Sequence, residues 1–409
     1  MGASYAEPRP SARTFIVLMG VVAMFGDMTY EGARGLVGPY LGLLGASALS
    51  IGFLAGLGEF LGYGLRFVTG WLGDRTRAYW AFVFVGYSAN FLVVTGLAFA
   101  DSWQAAAAFL LLERVGKAIR SPSKSTLVSY AAKAGGVGTS FGIEEALDQV
   151  GAVSGPLLAA LVIRLLRAEP ALAQYRGAFL VLVIPVVFNL ACLAVARRRY
   201  PNPEAFEDAV PAPAAEHFSM TFHLYVAAAA LVGLGFADWA LVAFHAAKHS
   251  VWSVTDLPLV YAGVMAVDGF AALAAGWAFD RRGVHALAAS AALSAGFAPC
   301  VFLAPSPEWV LAGAALWGVG MGAQDSVFKA AIATLVPRER RARAYGIFFG
   351  VFGLTWWVGS TLMGWLYERS LPGLVLFSVA AQLLGAVGLV LVGRRAAGEL
   401  RGSVLGHLR

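Results

Sequence analysis

Three ionisable residues fall on one face of the first long apolar run: Asp27, Glu31 and Arg34, spaced i, i+4 and i+7. A carboxylate taken out of water and left unpaired takes and releases a proton far more readily near neutral pH than a solvated one. Glu31 can pair with Arg34 one turn on, which leaves Asp27 without a local partner. Asp27 is therefore the foremost candidate to carry a proton. The alternative is a base from another run, with Arg114 the best placed. Glu113 and Arg114 lie together in a later run, as do Asp325 and Lys329, whose i, i+4 spacing lets them neutralise each other. In all, ten acids (Asp27, Glu31, Glu59, Glu113, Glu144, Glu145, Asp148, Asp238, Asp268, Asp325) and seven bases (Arg34, Arg66, Arg114, Lys117, Arg120, Lys124, Lys329) lie within or beside apolar runs. A charge at the centre of a membrane helix costs ~2.5–3.5 kcal/mol even on the mild insertion scale, so each must face a cavity or a partner.

Four of these charges read as structural. Folding the fourth and fifth runs back on each other near residue 134 sets Lys124 opposite Glu144 and Arg120 opposite Asp148, an expected ion-pair zipper. Gly151, Gly155 and Pro156 follow in the fifth run. Two glycines four apart let helices approach closely in lipid, and the proline removes a backbone donor. Other chemistries find no support. His245 and His249 are i, i+4 but lack a nearby carboxylate, so no metal site is expected. Cys192 and Cys300 sit in apolar runs as small core residues. No phosphate-cradling G-x-x-x-x-G-K-[ST] occurs, so no nucleotide and no other cofactor is expected.

The elements that position these groups follow from composition. The 409 residues are 59% hydrophobic and 13% charged, with a mean hydropathy of +0.71. A soluble domain carries about 25% charge, so a disordered chain and an ordinary soluble enzyme are excluded. Twelve apolar runs are predicted as spans: 14–42, 48–73, 78–100, 103–128, 139–163, 177–196, 221–247, 257–280, 284–304, 308–334, 343–366 and 372–393. The first reads as a retained span rather than a cleaved signal. The stretch 197–220, with Arg197, Arg198, Arg199 and four prolines, reads as a cytoplasmic linker. It divides an N-terminal bundle (1–196) from a C-terminal one (221–393), with a cytoplasmic tail over 394–409. With the N-terminus inside, 18 of the 30 Lys and Arg fall in inner segments and 5 in outer ones. The positive-inside rule then places both termini in the cytoplasm. The net charge of +6 describes that face and needs no nucleic-acid partner.

The halves repeat. Gly70-Trp71-Leu72-Gly73-Asp74-Arg75 recurs as Gly276-Trp277-Ala278-Phe279-Asp280-Arg281, Phe141-Gly142-Ile143 as Tyr345-Gly346-Ile347, and Gly155 falls on Gly359. A duplicated transporter is the natural reading. Each Asp-Arg loop offers a carboxylate to a helix N-terminus or an arginine, and the pair is expected to act as a latch, or gate, between conformations.

The two G-x-x-x-D-R loops resemble the signature loop of the major facilitator superfamily, and the resemblance covers essentially the whole chain. Gly70, Leu72, Asp74 and Arg75 fit, after which Thr76-Arg77-Ala78 departs. In the second copy Gly276, Asp280, Arg281 and Gly283 fit, whereas Ala278 and Val284 do not. Gly151-Ala152-Val153-Ser154-Gly155-Pro156 resembles the G-x-x-x-G-P element of the antiporter branch, with Ala159-Ala160 where that branch has Gly-Gly. The resemblance implies an all-α fold of two pseudo-symmetric six-helix bundles. It also implies that spans 1, 4, 7 and 10 line the central cavity. That favours Asp27, Glu31, Arg34, Glu113, Arg114, Asp238, Gln324 and Asp325 as substrate- and proton-binding residues, and ranks Glu59 and Asp268 below them. The aromatics Tyr30, Trp239, Trp317, Trp356 and Trp357 are further candidates for an apolar or cationic ligand.

The expected function is secondary transport by alternating access in a bacterial or archaeal plasma membrane. The protein is expected to be a monomer with lipid and a small-molecule substrate as its only partners, and not an enzyme. The net acidic in-span charge, the span-5 element and the aromatics favour proton-coupled export of small organic molecules. An importer or facilitator of a polar nutrient or organic anion held by Arg34 and Arg114 is the alternative. A transport-inactive sensor fits the duplicated loops poorly.

Overall fold

The computed structural model describes residues 11–135, 137–203, 218–303, 306–336 and 341–406. Most of the expected linker, 204–217, and the ends of both termini lie outside the described residues. Fifteen helices, with no strand among the described residues, form twelve spans. Spans 1 to 5 are α1 (Ala12–Leu43), α2 (Ala48–Thr76), α3 (Tyr79–Phe99), α4 (Trp103–Gly135) and α5 (Val137–Leu165). Span 6 is α6 (Ala171–Val181) with α7 (Val183–Arg199), and span 7 is α8 (Met220–Gly235) with α9 (Trp239–Lys248). Span 8 is α10 (Asp256–Arg282), and span 9 is α11 (Val284–Ser294) with α12 (Phe297–Phe302). Spans 10 to 12 are α13 (Pro307–Leu335), α14 (Arg341–Arg369) and α15 (Leu371–Gly406). The last helix continues well into the expected tail.

Ten of the spans are long and apolar enough to cross a membrane by length and composition alone. Spans 4 and 10 fall short of that measure. Span 4 carries Glu113, Arg114, Lys117, Arg120 and Lys124, and span 10 carries Gln324, Asp325 and Lys329. Such helices are stable in a bilayer only when their polar faces look inward. Around them the outer surface is apolar: Phe67, Phe99, Leu165, Phe270, Leu273 and Leu376 are each more than two-thirds exposed, as lipid-facing side chains must be.

Glycines set the closest helix contacts. A Cβ on Gly151 or Gly155 would stand 2.1 Å from the carbonyl oxygens of Met24 and Met28, so spans 1 and 5 touch backbone to backbone. Gly359 on span 11 meets Leu234 of span 7 in the same way, at 2.0 Å. The residue repeat thus marks equivalent contacts in the two halves.

Span 7 is not one continuous helix. Phe236 to Asp238 runs extended between α8 and α9, and broken backbone inside a membrane needs replacement partners. The Asp238 side chain caps α9 by accepting from the Ala240 amide at 3.0 Å. Trp317 donates to the Ala237 carbonyl at 2.8 Å, and Ser378 and Gln382 donate to that of Gly235 at 2.6 and 3.2 Å.

Candidate functional site

The centre of the molecule holds a charged cluster at the meeting of spans 1, 2, 4, 7 and 8. Arg34 stands 3.7 Å from Glu31, 3.8 Å from Glu59 and 3.6 Å from Asp238. Arg114 pairs with Glu59 at 2.8 Å and Glu113 at 3.7 Å, and donates to the Tyr30 hydroxyl. Tyr261 of span 8 donates to Glu31 at 2.5 Å. Lys117 lies over the Tyr30 ring, 3.7 Å from its centroid. The four carboxylates and Arg34 are buried and the Arg114 side chain is 12% exposed, and buried ions are tolerated only when compensated in this way. Two links, Arg34 to Asp238 and Tyr261 to Glu31, join the first half of the chain to the second.

Below this cluster lies a cavity of about 200 Å³ on the side of the chain termini. Asp27, Asp325 and Lys329 face it, together with Arg66, Glu145 and Asp268. Asp27 is partly exposed there and makes no ion pair within 4 Å among the described residues. The alternative partner, Arg114, is taken by Glu59. Asp325 and Lys329 also stay unpaired with each other and open to the cavity. Gln324 lines the cavity while its amide donates to the Gly320 carbonyl of its own helix at 2.9 Å.

Several sequence expectations need correction. Asp238 does not stand free as a cavity carboxylate, because capping α9 and facing Arg34 use it structurally. Glu113 lines a largely apolar recess beside the cavity rather than the cavity itself. Glu59, ranked low, is the shared counter-ion of both arginines. Trp239, Trp317 and Trp356 are at most 1% exposed and pack on one another and on Phe236 in the core of the second half, and Trp356 also lines the central cavity. Trp357 stacks on Phe60 at the contact of spans 2 and 11. The zipper forms only in part. Lys124 meets Glu144 at 2.7 Å and Asp148 at 3.9 Å. Arg120, expected opposite Asp148, instead faces Glu113 at 3.8 Å and the Tyr87 ring at 4.7 Å. Lys124→Met is accordingly expected to leave the buried Glu144 and the partly buried Asp148 without their cation. A loss of about 3 kcal/mol should follow, seen as a lowered unfolding midpoint in detergent. An unchanged midpoint would show the pairing to be incidental.

The Asp-Arg loops are not engaged with each other. Asp74 accepts from Tyr79 at 3.0 Å, Arg75 lies on Trp71 and Arg281 on Trp277, each within its own half. Asp280 is exposed. Gly70 and Gly276 sit against spans 4 and 10, where a Cβ would stand 3.4 Å from Pro122 and 3.5 Å from Ser326. His245 bonds Tyr367 at 3.0 Å, and no group of three potential metal ligands occurs among the described residues.

The Major Facilitator Superfamily model matches residues 16–244 and 226–405. The chain belongs to the major facilitator superfamily. It is 39% identical over 387 residues, 93% of each chain, to an uncharacterized protein of Mycobacterium tuberculosis. It is 32% identical over 148 residues, 36% of this chain and 37% of the other, to an uncharacterized MFS-type transporter of Methanocaldococcus jannaschii. Solved transporters share the fold at low identity. A peptide transporter POT in complex with sulfate superposes with a TM-score of 0.73 at 15% identity, covering 96% of each chain. The nucleoside transporter NupG gives 0.68 at 12%, covering 93% of this chain and 98% of its own. As a superfamily member the protein is a multi-pass membrane protein and a secondary transporter, and its central charged cavity lies where the two halves meet.

Proposed function

We propose that the protein exports a small cationic organic solute across the plasma membrane in exchange for protons, with both termini in the cytoplasm. The observation that carries this reading is Asp27. Every neighbouring carboxylate in the central cluster has a cation within 4 Å, whereas Asp27 faces the cavity without one. Protonation of a carboxylate so placed lowers the negative charge of the cavity and weakens its hold on a cationic solute bound there, which is the coupling that exchange requires. Acids outnumber bases around the cavity, seven to five, which favours a cationic solute over an anionic one. The anion-importer reading loses support because Arg34 and Arg114, its expected ligands, are already held by Glu59, Glu31 and Asp238.

A one-for-one exchange of a proton for a monovalent cation moves no net charge, so the pH gradient drives it, and each pH unit supplies ~1.4 kcal/mol, about a tenfold gradient of solute. The test uses liposomes loaded with a pH-sensitive dye and a panel of organic amines and cations. Addition of a transported member is expected to trigger proton movement in the wild type and none in Asp27→Asn. Equal proton movement in both proteins would remove Asp27 from the mechanism, and none with any member of the panel would count against export of cations.

A further inference from the structure

Beside the central cavity a second hollow opens sideways between spans 5 and 8, near the middle of both helices. It encloses about 600 Å³, within the roughly 300–1,000 Å³ of small-molecule sites. Val150, Val153, Leu157, Phe270 and Leu273 form its walls. Its hydroxyl residue, Ser154, donates back to the Val150 carbonyl of its own helix at 2.7 Å, so among the walls that hydroxyl has only acceptor capacity left. Leu157, Phe270 and Leu273 are 46, 75 and 74% exposed, which opens the hollow to lipid. Its floor is different. Glu145, Gln149 and Met265 line both this hollow and the charged cavity, so the two spaces share one partition.

One hydrogen bond crosses that partition, from Gln149 Nε2 to Asp268 Oδ2 at 3.3 Å. It leaves Gln149 Oε1 and Asp268 Oδ1 buried with no hydrogen-bond partner among the described residues. Asp268 is 5% exposed and has no ion pair among the described residues. Both orphan atoms are acceptors, so a ligand there must donate hydrogen bonds, and the carboxylate calls for a positive charge. Gly269 lets Gln149 lie against the bare backbone of span 8, since a Cβ there would stand 3.0 Å from Gln149 Oε1.

We propose that this junction binds a protonated amphiphilic amine that enters from the bilayer. Its N–H groups reach Asp268 Oδ1 and Gln149 Oε1, and its hydrocarbon chain lies in the hollow between spans 5 and 8. The chemistry is selective in two ways. A quaternary ammonium carries the charge but has no N–H to donate, and a long-chain alcohol donates but carries no charge. The proposal deepens the export reading and rests on it, naming the class of solute and its way in.

The test is photolabelling of the whole protein in lipid nanodiscs with dodecylamine carrying a diazirine at the end of its chain. Label is expected on Val150, Val153, Leu157 and Leu273. Leu384 and Leu391 of span 12, 60 and 56% exposed, report background labelling from lipid in the same molecule. Relative to that background, Asp268→Asn should lower the label on spans 5 and 8 about tenfold, the worth of one charge-assisted hydrogen bond. Gln149→Leu, which removes the second acceptor at similar volume, should lower it as well. Ala266→Trp, which fills the hollow, should displace it. Unlabelled dodecylamine should compete, and dodecyltrimethylammonium and dodecanol should not. Label spread evenly over all lipid-facing spans, or unmoved by Asp268→Asn and Gln149→Leu alike, would overturn the site. Labelling needs no gradient, so intact labelling without coupled flux would count against the export reading alone. Coupled flux with labelling indifferent to Asp268 would count against this site alone.

Discussion

Glu59→Gln is expected to destabilise the protein more than any other single exchange in the central cluster. Glu59 is the carboxylate that both arginines share, 2.8 Å from Arg114 and 3.8 Å from Arg34, and its side chain is 9% exposed. Glutamine keeps the shape and an acceptor oxygen but removes the charge. Arg114 then retains only Glu113 at 3.7 Å, and Arg34 leans wholly on Glu31 and Asp238. Removing one partner of a buried pair costs about 3–5 kcal/mol, because the remaining ion stays buried and uncompensated. A loss of about 3 kcal/mol, with the survivors of the cluster softening it, should appear as a lower unfolding midpoint in detergent. The double variant Glu59→Gln/Arg114→Gln should recover part of that loss, since it removes the stranded cation too. A single variant as stable as wild type would show that Glu59 does not hold the cluster together.

Gly38→Val is expected to act on conformation rather than on charge. At the end of the molecule that carries the loop between spans 1 and 2, the halves meet backbone to backbone. A Cβ at Gly38 would stand 2.0 Å from the Ala240 carbonyl oxygen of α9. Gly52 and Gly364 make similar approaches to Ser360 and Ala48, at 2.3 and 2.6 Å, between spans 2 and 11. Backbone cannot yield as a flexible side chain can, so a valine at position 38 wedges this end apart. In an alternating-access protein the wedge favours the state open at that end. Spin labels at Ser47 and His249, both exposed, should therefore report a longer distance in Gly38→Val than in wild type. An unchanged distance distribution would mean that the glycine contact does not seal this end.

The architecture was legible in the sequence because a bilayer imposes a simple rule. About 20 apolar residues make a span, and all twelve runs lie in helices, most of them close to the expected limits, although α4 runs on to Gly135 and the last helix to Gly406. The repeat of Gly155 at Gly359 was legible for a related reason, since only glycine permits contact with a neighbouring backbone. What was missed depended on three-dimensional register. The break in span 7 carries no proline. Its one local signal was Asp238 ahead of a short apolar run, which is the pattern of a helix N-cap. Glu59 was ranked low because span 2 was placed away from the cavity. Span 2 reaches the centre because Gly58 has no side chain, and a Cβ there would stand 2.9 Å from Arg114 Cγ. Arg120 was assigned to Asp148 from hairpin geometry alone. The hairpin forms, yet the side chain turns toward Tyr87 and toward Glu113, which stands seven residues earlier on the same face of span 4, a spacing that competes with the hairpin pairing. The tryptophans misled for the opposite reason. An indole suits a ligand site and a core equally well, and only burial separates the two.

The most direct measurement of the central claim separates movement of solute from its coupling to protons. Wild type and Asp27→Asn, reconstituted in liposomes, are compared in two assays with a solute taken from the amine and cation panel. One assay follows accumulation driven by a pH gradient, and the other follows exchange of labelled for unlabelled solute with no gradient. If Asp27 carries the coupled proton, the variant loses gradient-driven accumulation while keeping exchange. Accumulation by the variant at the wild-type level would contradict the account.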